Sequence, residues 1–133
     1  MRAWLLVREG RLEEALSGRD AARWGGPWSP PGLPAVYAHE SAAAAALALC
    51  ARLAAAPEAL KGYRFYVLEL PDPLVATHAG WDRPQEVGAN FLRAGRHLAL
   101  RVPSRLAPAT WLLLLNPRHP AFEAVAVREV EAP

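Results

Sequence analysis

The stretch WGGPWSPPGLPAVYAHES, residues 24–41, decides how this chain folds. Its first half predicts a loop, because prolines lack an N–H donor and glycines favour turns. Residues 34–38 predict a brief strand. Ser41 is then the expected N-cap of an alanine-rich helix over residues 42–56, which Pro57 ends. The sequence therefore places a strand and a helix directly behind a rigid, irregular loop.

The rest of the chain divides into short apolar runs separated by turn residues. A short helix is predicted over residues 11–16 and stops at Gly18. A longer helix begins at about Pro84, with Asp82 as its N-cap and Gly95 just past its end. Strands are predicted over residues 3–7, 63–70, 97–102, 111–115 and 122–130. Because strands and helices do not alternate regularly, we expect a single α+β domain with a mixed or antiparallel sheet and packed helices.

The composition limits the classes of function. Hydrophobic residues make up 53% and charged residues 21%, which excludes a disordered chain. The net charge is +2 and no Lys/Arg run occurs, so no nucleic-acid partner is predicted. The longest apolar stretch, residues 42–56, is mostly alanine and contains Arg52, so no membrane partner is predicted. The single Cys50 excludes a disulfide framework within the chain and predicts a cytoplasmic location.

Motifs of the common metal, cofactor and nucleophile sites are absent from the sequence. The histidines are scattered without the spacing of a metal site, so no metal is predicted: His39, His78, His97 and His119. There is no glycine-lysine phosphate loop, Gly-x-Ser-x-Gly elbow or dinucleotide fingerprint, so no resident cofactor is predicted. No pattern in the sequence predicts an oligomeric state.

A series of phrases in a fixed order nevertheless resembles a known family. The chain carries RAW (residues 2–4), ARWGGPWSPPGLPAVYAHES (22–41), the alanine-rich helix, LALRVPS (98–104) and LLLNPRHPAF (113–122). This order is similar to the RES domain family, and its VPS and NP-x-HP phrases are the most specific. The resemblance implies a fold like the ADP-ribosyltransferase core, with NAD as the substrate or ligand. It also implies a helical antitoxin of the Xre type as partner.

Several residues match the family's phrases. Tyr37 matches the aromatic of its V-Y phrase, Ser104 the serine of its VPS phrase, and Asn116 opens the phrase that follows. The resemblance implies Ser104 as a catalytic residue, and Tyr37, Trp28 and Asn116 as ligand-binding residues. Each also has a purely structural interpretation. Ser104 and Asn116 are residue types that form turns. Tyr37 could be a core aromatic, and Trp28 could pack within the loop.

Two signature charges of the family are missing. Where the family has Gly-Gly-Arg-Trp, this chain has Pro27 in place of the arginine, and Ala48 stands where the family helix has its glutamate. A carboxylate opposes the oxocarbenium charge that develops when nicotinamide leaves ribose, and a guanidinium binds pyrophosphate in a fork. Pro27 and Ala48 do neither. Arg23 and Arg52, four residues from these positions, are the candidate replacements and are predicted to bind ligand.

These residues are compatible with three functions. The first is a RES-family protein, related to NAD-degrading toxins of toxin–antitoxin systems, that binds NAD or a related nucleotide with weak or no catalysis. The second is an active NAD glycohydrolase or phosphorolase that uses Arg23 or Arg52 with Ser104. The third is a protein-interaction module without a ligand site. The missing charges favour the first.

The residue matches make one geometric prediction. Tyr37, Ala48 and Ser104 should line a single cleft, although they are far apart in the sequence. An Ala48 that faced the core, with Ser104 on the opposite side of the domain, would invalidate every role transferred from the family.

Overall fold

A computed structural model describes residues 1–131 of the chain as an α+β domain, as predicted. Its strands are β1 (Arg2–Arg8), β2 (Val36–His39), β3 (Tyr63–Glu69), β4 (Val75–Thr77), β5 (Ala99–Pro103), β6 (Trp111–Leu115) and β7 (Ala126–Val130). Its α-helices are α1 (Leu12–Ser17), α2 (Arg19–Trp24), α3 (Ala42–Leu53) and α4 (Pro84–Ala94). The helices pack against a single sheet.

The sheet is mixed and has the strand order β4-β5-β6-β2-β1-β3-β7. Neighbouring strands are antiparallel except β4 and β5, which are parallel. β1 pairs with β3 over its whole length from Arg2 to Arg8, but it pairs with β2 only at Trp4 and His39. We call this single pair the β1–β2 junction. It divides the sheet into a four-stranded and a three-stranded part.

Alternation along β2 separates two buried layers, because successive strand side chains point to opposite faces. Val36 and Ala38 belong to one core cluster, whereas Tyr37 packs with Trp28 in the other. By the same alternation, His39 shares the face of Tyr37. Helix α3 packs against β1 and β2. The residues of β2 that face away from the first core therefore lie beside α3.

Helix α3 follows from its local sequence. Alanine has the highest helix propensity, and the Ser41 hydroxyl accepts the N–H of Ala44 at 3.0 Å, which confirms the predicted N-cap. The helix ends at Leu53, before the predicted stop at Pro57, because Ala54 adopts a left-handed φ of 49°. Within residues 1–131, no helix is long and apolar enough to cross a membrane.

Several sequence predictions differ from the structure. Helix α2 was not predicted, because Gly18 indicates a stop, whereas its φ of 72° both ends α1 and starts α2. Strand β4 was also missed, since three residues are too few to show an alternating pattern. Helix α4 starts after Arg83, with a φ of 49°, and not with Asp82 as its N-cap. Strand β7 begins only at Ala126, because residues 122–124 form a 3-10 turn.

Gly88 lets helix α4 lie directly on the loop that carries Trp28. A Cβ at Gly88 would overlap the backbone carbonyl oxygen of Trp28 and would stand 3.2 Å from Cδ2 of Leu114. The carbonyl belongs to the backbone, so it cannot rotate away as a flexible side chain can. Trp28 is fully buried at this contact. Helix α4, the loop and β6 therefore fix one another's positions.

We predict that Gly88→Ala destabilises the fold by about 2 to 3 kcal/mol through overpacking, although alanine is favoured over glycine in a helix by about 1 kcal/mol. Denaturant unfolding followed by circular dichroism measures this. Asn90→Ala, at an exposed position of the same helix, is the control and should change stability by less than about 0.5 kcal/mol. Unchanged stability of Gly88→Ala would contradict the packing.

Candidate functional site

A cleft of about 1110 Å³ is bordered by α3, by the loop that follows α2 and by the turn that follows β5. Tyr37, Ala48 and Ser104 all line it. These residues come from β2, α3 and the β5–β6 turn, respectively. The predicted convergence of the three positions in one cleft is confirmed.

The Tyr37 hydroxyl holds the loop at the border of the cleft. It accepts the N–H of Trp28 at 3.0 Å and shares a hydrogen bond of 2.7 Å with the hydroxyl of Ser29. A Cβ on Gly26 would stand 2.6 Å from the same hydroxyl, so glycine is needed for this approach. Burial raises the pKa of Tyr37, while the two hydrogen bonds act in the opposite direction. Tyr37 thus has a structural role and also lines the cleft.

The loop of residues 25–29 is closed by further hydrogen bonds. The N–H of Gly26 donates to the carbonyl oxygen of Ser29 at 2.8 Å. Nε2 of Gln85, on α4, donates to the carbonyl oxygens of Gly26 and Ser29 at 3.0 and 3.3 Å. Helix α4 therefore holds the loop in the shape that borders the cleft.

The Trp28 side chain packs within this structure. It is fully buried, lies tilted against the ring of Trp81 at 5.4 Å and meets His78 edge-on at 5.9 Å between ring centroids. Trp28 thus packs within the loop and is also among the residues that line the cleft, and its ligand-binding role stays a prediction. The indole leaves no open face on which a nucleotide base could stack.

The two positions at which the family carries charges both border the cleft. Pro27 is exposed and Ala48 is half-buried, and each lines the cleft. The cleft is thus built around these positions but receives neither a cation nor a carboxylate from them.

Arginines dominate the charged lining of the cleft, which consists of Arg8, Arg11, Arg52, Arg105, Glu14 and Asp20. Arg11 donates to the Glu14 carboxylate at 2.7 Å, so these two charges largely offset each other. The guanidinium carbon of Arg105 lies 4.4 Å from the centroid of the Trp81 ring. The excess of guanidinium groups makes the cleft suited to an anionic ligand.

Two residues predicted to bind ligand lie outside the cleft. The guanidinium of Arg23 lies over the ring of Trp24, 5.6 Å from its centroid, and does not line the cleft. Asn116 is buried: its amide donates to the carbonyl of Leu92 at 3.2 Å, and its side-chain oxygen accepts the N–H of Arg118 at 3.1 Å. The bond from Arg118 stabilises the turn after β6, and the bond to Leu92 ties this turn to helix α4. The ligand-binding role of Asn116 stays a prediction.

Two other predicted residues do lie in the cleft. The Ser104 hydroxyl lines it and also accepts the N–H of Leu106 at 3.2 Å, which stabilises the turn after β5. Arg52 lines it from α3, one helical turn after Ala48. The catalytic role of Ser104 and the ligand-binding role of Arg52 stay predictions.

His39 lines the cleft and was not predicted as a site residue. Its Nδ1 is buried and has no hydrogen-bond partner among residues 1–131. Burial lowers the pKa of His39, and the charge of Arg52 lowers it further. The spacing of the histidines gives no sign of this position, whereas alternation along β2 places His39 on the same face as Tyr37. In the described part of the chain, no three His, Cys, Asp or Glu side chains form a metal cluster.

The protein is an α+β domain that combines a mixed seven-stranded sheet with an arginine-lined cleft, and the excess of arginines suits this cleft to an anionic ligand. The RES domain matches residues 2–133, and the chain belongs to the RES domain family.

The relatives are toxins. The chain is 35% identical to "Toxin Res" of Pseudomonas putida, with 85% of each chain covered. It is 31% identical to "Prs ADP-ribosylating toxin" of Sphingobium sp., which covers 96% of this chain and 89% of that one. A solved structure, the M. tuberculosis MbcT-MbcA toxin-antitoxin complex, shares the fold with a TM-score of 0.71 at 22% identity, over 98% of this chain and 83% of that chain. The protein is related to the RES toxins of toxin–antitoxin systems.

We predict that Tyr37→Phe destabilises the protein by about 1 to 2 kcal/mol, because the buried N–H of Trp28 and the hydroxyl of Ser29 lose their partner. Thermal and denaturant unfolding measure the change. The control is Tyr63→Phe, whose hydroxyl accepts only an exposed hydrogen bond of 3.3 Å from Arg8, and which should cost less than about 0.5 kcal/mol. Equal effects of the two substitutions would show that Tyr37 does not hold the loop.

Proposed function

We propose that the cleft binds NAD or a related nucleotide through its anionic pyrophosphate and cleaves the nicotinamide–ribose bond weakly or not at all. The observation that carries the proposal is the lining of the cleft, in which arginines outnumber carboxylates while Pro27 and Ala48 occupy the family's two charged positions. The relation to an ADP-ribosylating toxin supports a nucleotide of this class.

The chemistry of glycosidic cleavage explains the loss of activity. When nicotinamide leaves, positive charge develops on the ribose, and a carboxylate near it stabilises the transition state. Ala48 provides no such group. Removal of one catalytic group commonly lowers turnover by about a hundredfold or more, and groups that act together are not additive. The missing charges at Pro27 and Ala48 lower ligand affinity less than they lower turnover, because pyrophosphate can still contact other guanidinium groups.

An active enzyme is the second candidate, and one observation favours it. Arg52 and Ser104, which this candidate would use, both line the cleft. Arg23, the other candidate of that set, lies over Trp24 and outside the cleft. Turnover of NAD by the unmodified protein would favour this candidate over the first.

We also propose an antitoxin protein of the Xre type as partner. The MbcT-MbcA complex and the relatives named toxins support this proposal. Trp24, with 76% of its surface exposed, and Leu106 provide apolar side chains at the border of the cleft. A protein that covers this border would close the cleft to nucleotide.

We predict that the purified protein binds ADP-ribose but releases no appreciable nicotinamide from NAD, with or without phosphate. Calorimetry measures binding, and chromatography of the products measures cleavage. Appreciable turnover would contradict the loss of activity, and absence of ADP-ribose binding would contradict the ligand.

Restoring both missing charges should restore catalysis. We predict that Pro27→Arg combined with Ala48→Glu raises NAD cleavage by about a hundredfold, whereas either change alone does little, because the groups act as a unit. The new carboxylate is half-buried, and Arg52, one turn along, is placed to pair with it and limit the loss of stability. Loss of NAD and thermal unfolding are measured on the same preparations.

The control adds the same charges outside the cleft. Pro31 and Ala51 are exposed, lie in the same loop and the same helix, and do not line the cleft. Pro31→Arg combined with Ala51→Glu should leave NAD cleavage at the level of the unmodified protein. A folded Pro27→Arg, Ala48→Glu protein that remains inert would contradict the proposed cause of the weak activity.

A further inference from the structure

His39 is placed to contact a ligand in the cleft. It lies on β2 two residues after Tyr37, and both side chains point away from the core cluster that contains Val36 and Ala38. The Nδ1 atom is buried and has no hydrogen-bond partner within residues 1–131. A buried polar atom without a partner carries a desolvation cost, and in the described part of the chain no hydrogen bond at Nδ1 fixes the imidazole in its place beside the cleft.

Arg52 is the cation whose charge lowers the pKa of His39. It lines the cleft from α3, and its charge acts on His39. Among residues 1–131, no carboxylate lies within ion-pair distance of the Arg52 guanidinium. The guanidinium is therefore free to form charge-assisted hydrogen bonds with an anion.

The residues paired with His39 on the neighbouring strands supply no negative charge. On β1 the residue paired with it is Trp4, and on β6 it is Leu112. The titratable and charged side chains that line the cleft from the packed strands are Tyr37, Arg8 and Tyr63, and from α3 Arg52. The carboxylates of the cleft are Glu14 on α1, which is paired with Arg11, and Asp20 on α2.

We propose that His39 and Arg52 form an anion-binding subsite that holds the pyrophosphate of the nucleotide and replaces the cation absent at Pro27. This inference rests on the proposed function, since it names how the same cleft binds its ligand. In the free protein, burial and the Arg52 charge both disfavour protonation of the imidazole and lower its pKa. A bound pyrophosphate places negative charge beside His39 and Arg52, and this charge favours protonation of the imidazole.

The subsite makes binding depend on pH with a definite sign. The pKa of His39 is lowered in the free protein, and the bound anion raises it. A ligand that raises a pKa binds more tightly as the pH falls through that pKa, and each unit of the rise increases affinity about tenfold. Affinity for the nucleotide should therefore increase in mildly acidic solution.

The experiment is calorimetric titration with ADP-ribose at about pH 7.5 and about pH 5.5, which span the range in which histidine titrates. ADP-ribose is chosen because its pyrophosphate diester keeps the same charge across this range. We expect the unmodified protein to bind about tenfold more tightly at the lower pH. His39→Asn should bind with no pH dependence, and Arg52→Gln should bind about tenfold more weakly at both pH values.

Matched controls separate this subsite from general effects of charge. His97→Asn and Arg93→Gln remove the same residue types outside the cleft and should leave affinity and its pH dependence unchanged. Circular dichroism checks that each variant is folded. If the affinity for ADP-ribose still depends on pH in His39→Asn, or does not depend on pH in the unmodified protein, the inference is overturned. Binding of ADP-ribose in the same experiment would still support the proposed function.

Inorganic pyrophosphate at about pH 5.5 is the second probe, because it lacks the nucleoside parts. Binding of pyrophosphate that is lost in His39→Asn and Arg52→Gln, without binding of ADP-ribose, would support the subsite and overturn the nucleotide ligand. Failure of both probes to bind would overturn the subsite and the proposed function together.

Discussion

The contact between Trp28 and Gly88 is the constraint on which the cleft depends. Trp28 is fully buried, and helix α4 comes close enough to its backbone that a Cβ on Gly88 would overlap the carbonyl oxygen. From the other side, the Tyr37 hydroxyl accepts the N–H of the same residue. The loop is thus held between a helix and a strand, and its position is set by packing and hydrogen bonding together. That position gives the cleft one of its borders.

The parts of the fold that could be predicted are those with a local physical cause. The Ser41 N-cap and strand β6 are fixed by nearby residues, and the structure confirms both. Helix α2 and β4 could not be predicted, because each is stabilised by contacts distant in sequence. Gly18 packs near Ala35, where an added Cβ would stand 2.7 Å from the backbone nitrogen, and β4 is defined by its parallel pairing with β5.

The candidate site was predictable to the extent that its positions match the family's phrases. Tyr37, Ala48 and Ser104 converge as expected, since a shared fold brings matched positions together. His39 could not be predicted as a site residue from the spacing of the histidines. What distinguishes it is the burial of its ring and the charge of Arg52 on another element, and both depend on the folded structure. Asn116 shows the converse case, in which a matched residue forms hydrogen bonds to its own turn and to helix α4.

The β1–β2 junction has a mechanical consequence for the cleft. The four-stranded and three-stranded parts of the sheet share a single residue pair, Trp4 and His39, so few ladder hydrogen bonds fix the angle between them. Side-chain packing spans the junction: Leu5 of one part clusters with Val36 and Leu113 of the other, and helix α3 packs against both β1 and β2. The packing of these apolar side chains and of α3 therefore sets the angle between the two parts. The same packing controls the width of the cleft.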